Sequence, residues 1–431
     1  MSNIIIVSYY WPPQNAIATH RPYSWATHWS EQGHNVTVIT SKKQEFDKPL
    51  DLNLTVSKEI DVIEVPFGNN SILSYLLNFD LVKKTAKTIK EKLNKNSRIH
   101  IDARSQWHAA ASKYITKHAE KADIVVSTFG PEASHLIAHD IKLINPKIFW
   151  VADYRDLWSQ NHLTAYSNHT REEAKYKELN IVGKSADLIT TVSSTLAGQL
   201  SELLKKKVIC IPNGFDLNED KVIKILSQKP AIHNRPLRIV HTGTIYAKHR
   251  NPTPLLEALA KLQSEGIIEN NSVYVDFYGS NTEVLKYLTS DPKYSPFIRL
   301  MGHVSRSESL KAQSEADLLL LLESSLPEAR GMLTGKVFEY IVSGKPIICI
   351  GSDPDFDIGK LLHKTGTGSV FREDDLQILK TTLTDAITTS APPSYYNPAT
   401  NEVLQYSRKR IAYNFLGAIM DSMKNDLDRI S

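Results

Sequence analysis

A chain of 431 residues, 41% hydrophobic and 23% charged, is of ordinary globular composition and too long for one typical core, so two domains are the default. A net charge of +4 does not demand nucleic acid and leaves room for an anionic partner. Two cysteines, Cys210 and Cys349, exclude a disulfide framework and read as buried reduced thiols in apolar strands.

From Ile4 the chain enters a strand with no charged or cleavable segment before it, and no apolar run reaches the length of a membrane span. The expected location is the cytoplasm, or the inner face of the cytoplasmic membrane as a peripheral protein. Short β-rich runs then alternate with longer helical patterns. The first series is Ile4–Val7, Val36–Ile39, Val62–Val65, Ile124–Val126, Phe149–Val151, Leu188–Val192 and Val208–Ile211. The second is Ile239–His241, Val273–Phe277, Ile298–Leu300, Leu318–Leu322 and Ile347–Ile350. Several runs are apolar at every position, as parallel strands covered on both faces should be. Two such series predict an α/β architecture of two doubly wound domains. Breaks at Pro212 to Pro236 and at Pro392-Pro393 set the domains at 1–220 and 221–399, with a helical tail over 400–431 completing the first.

Between Leu81 and Ala122 lie eleven Lys/Arg against three Asp/Glu, preceded by Leu76, Leu77 and Phe79 and interleaved with Trp107 and Tyr114. A basic amphipathic surface of this kind, Lys83 to Lys121, suits an anionic membrane; a solvated helix face has the same composition. No nucleic-acid module surrounds it.

Ligands of parallel α/β sheets bind outside the carboxyl ends of the strands. After the first strand comes Tyr9-Tyr10-Trp11-Pro12-Pro13-Gln14-Asn15, and after the fifth Asp153-Tyr154-Arg155-Asp156. Two carboxylates flanking an arginine fit a site, or a structural pair that pins a loop. In the second half, Gly243 follows its strand and precedes Lys248 and Arg250; Gly279 and then His303-Val304 follow the next two. Glycine admits a ligand close to the backbone, two cations suit a diphosphate, and the segment at His303 and Val304 can read a base edge. The run Thr334-Gly335-Lys336 opens a helix, with Glu339 one turn in. A helix start plus a lysine suits phosphate, and a carboxylate one turn in can accept from a ribose diol. An ordinary helix with a solvated Lys and Glu reads the same way. There is no Walker loop and no Cys/His cluster of zinc spacing, and the Asp353-Pro354-Asp355-Phe356-Asp357 run reads as a turn rather than a metal site.

In this order, Tyr9–Pro13 with His20-Arg21, Gln32–Thr40, Asp153–Trp158, Ala186-Asp187 with Thr190–Ser193, Ile211–Asp216, Gly243–Pro252, Phe277–Gly279 and Gly335–Pro346 make the chain resemble the bacterial family-4 glycosyltransferases of the GT-B fold. The resemblance implies two Rossmann-like domains facing a cleft. It further implies transfer, with retention, of a hexosyl group from a nucleotide diphosphate sugar to a glycan or glycolipid acceptor in surface polysaccharide biosynthesis, with no cofactor and no obligate metal. It gives Glu339 the donor ribose, Thr334, Gly335 and Lys336 the donor loop, and Gly243 the phosphate loop. Asp153, Arg155, Glu328 and Lys336 become the catalytic candidates. Asn15, His20, Arg21 and Asp156 fall on the acceptor side. The chain departs from the family pattern at Gly331, where relatives often carry a glutamate and Glu328 is the nearest substitute. Thr244 replaces an arginine, so Lys248 or Arg250 must serve. The first loop reads Gln14-Asn15-Ala16-Ile17-Ala18 in place of paired glycines, and no histidine stands near Thr128 to Pro131 other than His135. A sugar-nucleotide epimerase of the same plan, and a donor-binding subunit without turnover, are the alternatives.

Overall fold

A computed structural model describes residues 1–67, 103–161, 166–228, 230, 236–245, 250–280 and 285–430. The chain divides into two compact units, Met1–Pro212 with Ile411–Ser431, and Asn213–Arg410.

The first unit is built on a seven-stranded parallel sheet in the order β3-β2-β1-β4-β5-β6-β7. Its strands are β1 Asn3–Val7, β2 Asn35–Ser41, β3 Asp61–Val65, β4 Ile124–Thr128, β5 Phe149–Tyr154, β6 Leu188–Thr191 and β7 Val208–Cys210. The second carries six parallel strands in the order β10-β9-β8-β11-β12-β13. These are β8 Leu237–Thr242, β9 Val273–Tyr278, β10 Ile298–Gly302, β11 Leu318–Leu322, β12 Ile347–Ile350 and β13 Gly368–Phe371. Both are doubly wound Rossmann-like sheets. The strand order reverses between β1 and β4 in one and between β8 and β11 in the other, and a crevice opens at such a reversal.

The continuous apolar runs are explained by cores on both faces of each sheet. In β1, Ile5 and Val7 enter one core and Ile4 and Ile6 the opposite one. In β11, Leu318, Leu320 and Leu322 face one core while Leu319 and Leu321 face the other. The tail is a short helix Thr400–Leu404 and then a long helix Arg408–Ile430. Ile411, Ala412, Phe415, Leu416 and Ile419 of the long helix pack with Trp25 and Trp29 of helix Ile17–Glu31 in a core of the first unit. Trp29 donates its indole N–H to the Ala412 carbonyl at 2.8 Å.

Three expectations change. Cys210 is exposed because β7 lies at the sheet edge, whereas Cys349 is buried. Trp107 is fully buried, with its ring 6.0 Å from that of Tyr9, so it belongs to the core and not to a basic surface. Strand β13 is a further strand beyond the twelve expected; Gly368-Ser369-Val370-Phe371 is too short and too glycine-adjacent to read as one. Leu76, Leu77, Phe79 and most of the basic stretch lie outside the described residues.

Candidate functional site

The second unit gathers its charged groups at the β8/β11 reversal. Gly243 follows β8 at φ +114°, and a Cβ there would fall 2.5 Å from Lys336 Nζ. Gly279 follows β9 at φ +141°, and its Cβ would meet the Gly243 carbonyl oxygen. Gly243 donates its N–H to the Tyr278 carbonyl (2.7 Å) and Gly279 to the Gly302 carbonyl (2.8 Å). The ends of β8, β9 and β10 therefore form one close-set main-chain surface, in which the space beside Gly243 is taken by Lys336 and that beside Gly279 by the Gly243 carbonyl.

Helix Gly335–Ile341 is fixed against this surface through Tyr340, whose hydroxyl accepts the Thr242 backbone N–H at 2.9 Å. Gln313 reinforces the contact by donating to Thr242 Oγ1 at 3.1 Å. The helix has only seven residues, so its dipole is small and the charge in the site comes from side chains.

Glu323, the residue directly after β11, is the buried centre of the cluster. Its Oε2 lies 3.4 Å from Arg250 Nη2, and its Oε1 accepts from Thr334 Oγ1 at 3.2 Å. Burial pushes its carboxyl up, against the pull of Arg250 and Lys336. Burial and the repulsion of Arg250 bring the Lys336 ammonium down to about 8, while Glu323 and Glu339 hold it up. Buried His241 is kept neutral by desolvation and by Lys336 and Arg250, and its Nδ1 bonds the Leu320 carbonyl at 2.9 Å. Two cations thus share one internal carboxylate. Two cations held this close together attract an incoming anion.

Among the expected donor residues, Gly243, Gly279, Arg250, Thr334, Gly335 and Lys336 come together here. Glu339 lies on the same helix and pairs with Arg306 at 2.8 Å. His303 and Val304 follow β10 directly, His303 exposed and Val304 half-buried. Glu328 sits in an exposed turn, Pro327–Ala329. Lys248 lies outside the described residues. Sequence reasoning did not single out Glu323, His241 or Tyr340. The one available signal was a lone carboxylate closing a five-leucine strand.

In the first unit, Asp153 and Arg21 do not reach the surface. Asp153 lies within β5, which runs three residues past its expected end. Arg21 holds it with Nε (3.0 Å) and Nη2 (2.6 Å), while Thr128 and Thr190 donate to the two carboxylate oxygens at 2.9 and 2.8 Å. Arg21 also donates to the carbonyls of Ile211 and Pro212. The pair ties β4, β5 and β6 to the chain leaving the sheet, and its hydrogen-bonding capacity goes into that scaffold in place of the catalytic and acceptor-side roles expected of it. Arg155, just past β5, pairs with Asp156 at 3.1 Å and lies over the Tyr10 ring. Asn15 donates to Asp51 at 2.8 Å on the surface, and His20 is half-buried on helix Ile17–Glu31. The Asp353 run is a turn: Asp353 accepts from the Asp355 N–H and pairs with Arg372 at 2.8 Å.

No family model matches the chain, and no curated protein matches its sequence. Solved structures match it along almost its whole length. A glycosyltransferase from Rickettsia africae is 17% identical, with 98% of this chain and 99% of that chain covered and a TM-score of 0.56. The N-terminal domain of Candida albicans trehalose-6-phosphate phosphatase is 14% identical over 97% of this chain and 99% of that one, with a TM-score of 0.59. A mutant of S. aureus TarM, solved with UDP, alpha-GlcNAc-glycerol and Fondaparinux, is 9% identical over 97% and 100%, with a TM-score of 0.55. At these identities the likeness is one of fold, and the fold is GT-B: two Rossmann-like units in one chain.

Proposed function

We propose that this chain is a glycosyltransferase whose second unit holds a nucleotide diphosphate sugar. The observation that carries the reading is the gathering of Arg250 and Lys336 around one buried carboxylate at the β8/β11 reversal, where Gly243 lets Lys336 lie against the end of β8. The glycosyltransferase neighbours, one of them a complex with UDP, support it.

In this reading the diphosphate lies over Gly243 and Gly279, with Lys336 and Arg250 on its oxygens. Glu339 turns from Arg306 to the ribose, and the main chain at His303 and Val304 meets the base. As the glycosidic bond breaks, charge grows on the leaving diphosphate. Fixed cations in a buried site offset that charge without reorganising, and binding both reactants in register supplies the rest. Catalysis then requires no protein nucleophile and no obligate metal. The transfer is of a hexosyl group, with retention, to a glycan or glycolipid acceptor in surface polysaccharide assembly at the inner face of the cytoplasmic membrane. The Lys83 to Lys121 segment is our candidate for contact with anionic lipid.

A second reading, a donor-binding subunit without turnover, is favoured by one observation: Glu328, the substitute for the carboxylate absent at Gly331, sits in an exposed turn. One experiment separates the two. The full chain is titrated calorimetrically with a panel of nucleotide sugars and then assayed for nucleoside diphosphate release with and without lipid-linked acceptors. Binding that weakens by about 1.5–3 kcal/mol in Lys336→Met, together with acceptor-dependent release, supports the enzyme. Binding without release supports the subunit. Absence of binding across the panel sinks both.

A further inference from the structure

The loop after β5 is held from inside the first unit by one helix. Arg155 to Asn161 leave β5 at the carboxyl edge of the sheet, and side chains bind both main-chain groups of Ser159. Its N–H donates to Glu178 Oε2 at 3.1 Å, and its carbonyl accepts from Arg171 Nη1 at 2.7 Å. Arg171 lies in helix Asn168–Lys177, and Glu178 opens the π-helical turn Glu178–Val182 that continues it. Such turns are rare in helices and recur at functional sites. The loop they hold carries Arg155, whose guanidinium lies 4.9 Å from the Tyr10 ring centroid. A Cβ on Gly130 would fall 2.6 Å from Arg155 Nη2. Tyr10 and Gly130 come after β1 and β4, so the loop places a cation at the strand-order reversal of this sheet.

Glu178 is fully buried, and the groups around it are neutral or engaged elsewhere. Tyr154 from β5 and Ser159 from the loop face its carboxyl. Among the described residues, none of Tyr154 Oη, Ser159 Oγ and Glu178 Oε1 makes an aligned hydrogen bond, so the closed arrangement is only partly satisfied. His135 stands behind, its ring 4.9 Å from that of Tyr154, and burial keeps both uncharged near neutral pH. Arg171 gives its guanidinium to the carbonyls of Ser159 and Asn161. Lys177 pairs with Glu132 and Glu173, Lys184 of the next turn is exposed, and helix Ser194–Leu204 presents Leu204 near Gly183. A charge on Glu178 is therefore poorly compensated as long as the loop stays shut.

We propose that this clamp is a pH-sensitive device: protonated Glu178 keeps the β5 loop closed with Arg155 at the β1/β4 reversal, and ionisation of Glu178 favours opening. The proposal involves no ligand and stands apart from the glycosyltransferase reading. Enclosed, the carboxyl titrates near 7; exposed by opening, it returns to about 4.5. Between those values the open loop releases a proton that the closed loop keeps. Opening therefore becomes easier by up to about tenfold per pH unit from 4.5 to 7 and levels off above 7.

Amide exchange of the full chain, corrected for the intrinsic effect of pH, tests this in the 155–161 segment at pH 5, 6, 7 and 8. In wild type the opening constant should rise about tenfold or more from pH 5 to 7 and change little from 7 to 8. Glu178→Gln cannot ionise and should be flat across the range. Tyr154→Phe removes a hydroxyl that favours the ionised carboxyl, so its rise should continue to higher pH. This variant carries the test if Glu178→Gln does not fold. Arg171→Gln loses the other half of the clamp and should exchange faster at every pH, with the slope of wild type. A purely structural role would raise exchange in the variants without moving the pH profile. Three results overturn the proposal: a flat wild-type profile, a slope that persists in Glu178→Gln, or a Tyr154→Phe profile that levels off at the same pH as wild type.

Discussion

Lys336 and Glu323 set the behaviour of the proposed donor site at the scale of single residues. Lys336 titrates near 8 and so is cationic below that pH. Nucleoside diphosphate affinity should be flat from about pH 6.5 to 7.5 and fall as the pH rises through 8, by up to tenfold per unit. Lys336→Met should flatten the profile at a low level, and calorimetry across pH reads both. A wild-type profile with no break between pH 7 and 9.5 would remove Lys336 from the site. Glu323 acts as an internal stand-in for the anion, since Arg250 and Thr334 both point to it. Glu323→Gln should bring the Lys336 ammonium down further, because Lys336 and Arg250 lose their buried counter-charge. The same change should raise nucleoside diphosphate affinity, because the ligand no longer competes with a built-in carboxylate. A fall in affinity would instead make Glu323 a positioning residue for the bound state. The chain spelled out the glycines and lysine of this site, since their types are tied to strand ends and helix starts. Glu323 stayed hidden because a carboxylate after an apolar strand reads as an ordinary surface residue until burial is known.

At the scale of elements, the long C-terminal helix and one irregular turn are the sensitive points. Phe415 is fully buried, with its ring 5.0 Å from Trp25 and 5.7 Å from Trp29. Phe415→Ala should cost the first unit about 3–5 kcal/mol, measured by urea unfolding followed through tryptophan fluorescence. A change below about 1 kcal/mol would mean that the helix is docked only loosely. The second point is the wide turn Glu178–Val182 after helix Asn168–Lys177. Glu178 is fully buried, accepts the Ser159 N–H at 3.1 Å and faces Tyr154. Burial raises its carboxyl from 4.5 to about 7. Between those values the folded chain keeps a proton that the unfolded chain releases, so this contribution to stability falls as pH rises through 7. Glu178→Gln keeps an acceptor for Ser159 without the charge. It should match wild type at pH 4.5 and exceed it by roughly 1–3 kcal/mol at pH 8. Equal stability of the two proteins at both pH values would refute the assignment. The strands were legible because their apolar runs are continuous. The exceptions have physical causes: β13 is four residues at a sheet edge, and β5 runs on through Asp153 because Arg21, Thr128 and Thr190 neutralise a carboxylate inside the sheet.

At the scale of the whole molecule, both units put paired cations at the same topological place. Lys336 and Arg250 stand at the β8/β11 reversal, and Arg155 and Arg104 at the β1/β4 reversal. Composition could not show this, because an overall charge of +4 does not say where the charge is concentrated. Each unit has its own sheet with a core on either face, so ligand linkage should be local to a unit. A nucleoside diphosphate at about 100 times its dissociation constant adds roughly 2.7 kcal/mol to whatever opening destroys its site. In amide exchange on the full chain, protection should therefore rise at Thr242 to Gly243, at Gly279 and through the Thr334–Ile341 segment. Exchange in β1 and β4 should be unchanged. If the nucleotide protected β1 and β4 instead, the donor site would belong to the first unit, and the gathering of Lys336 and Arg250 around Glu323 would need another explanation.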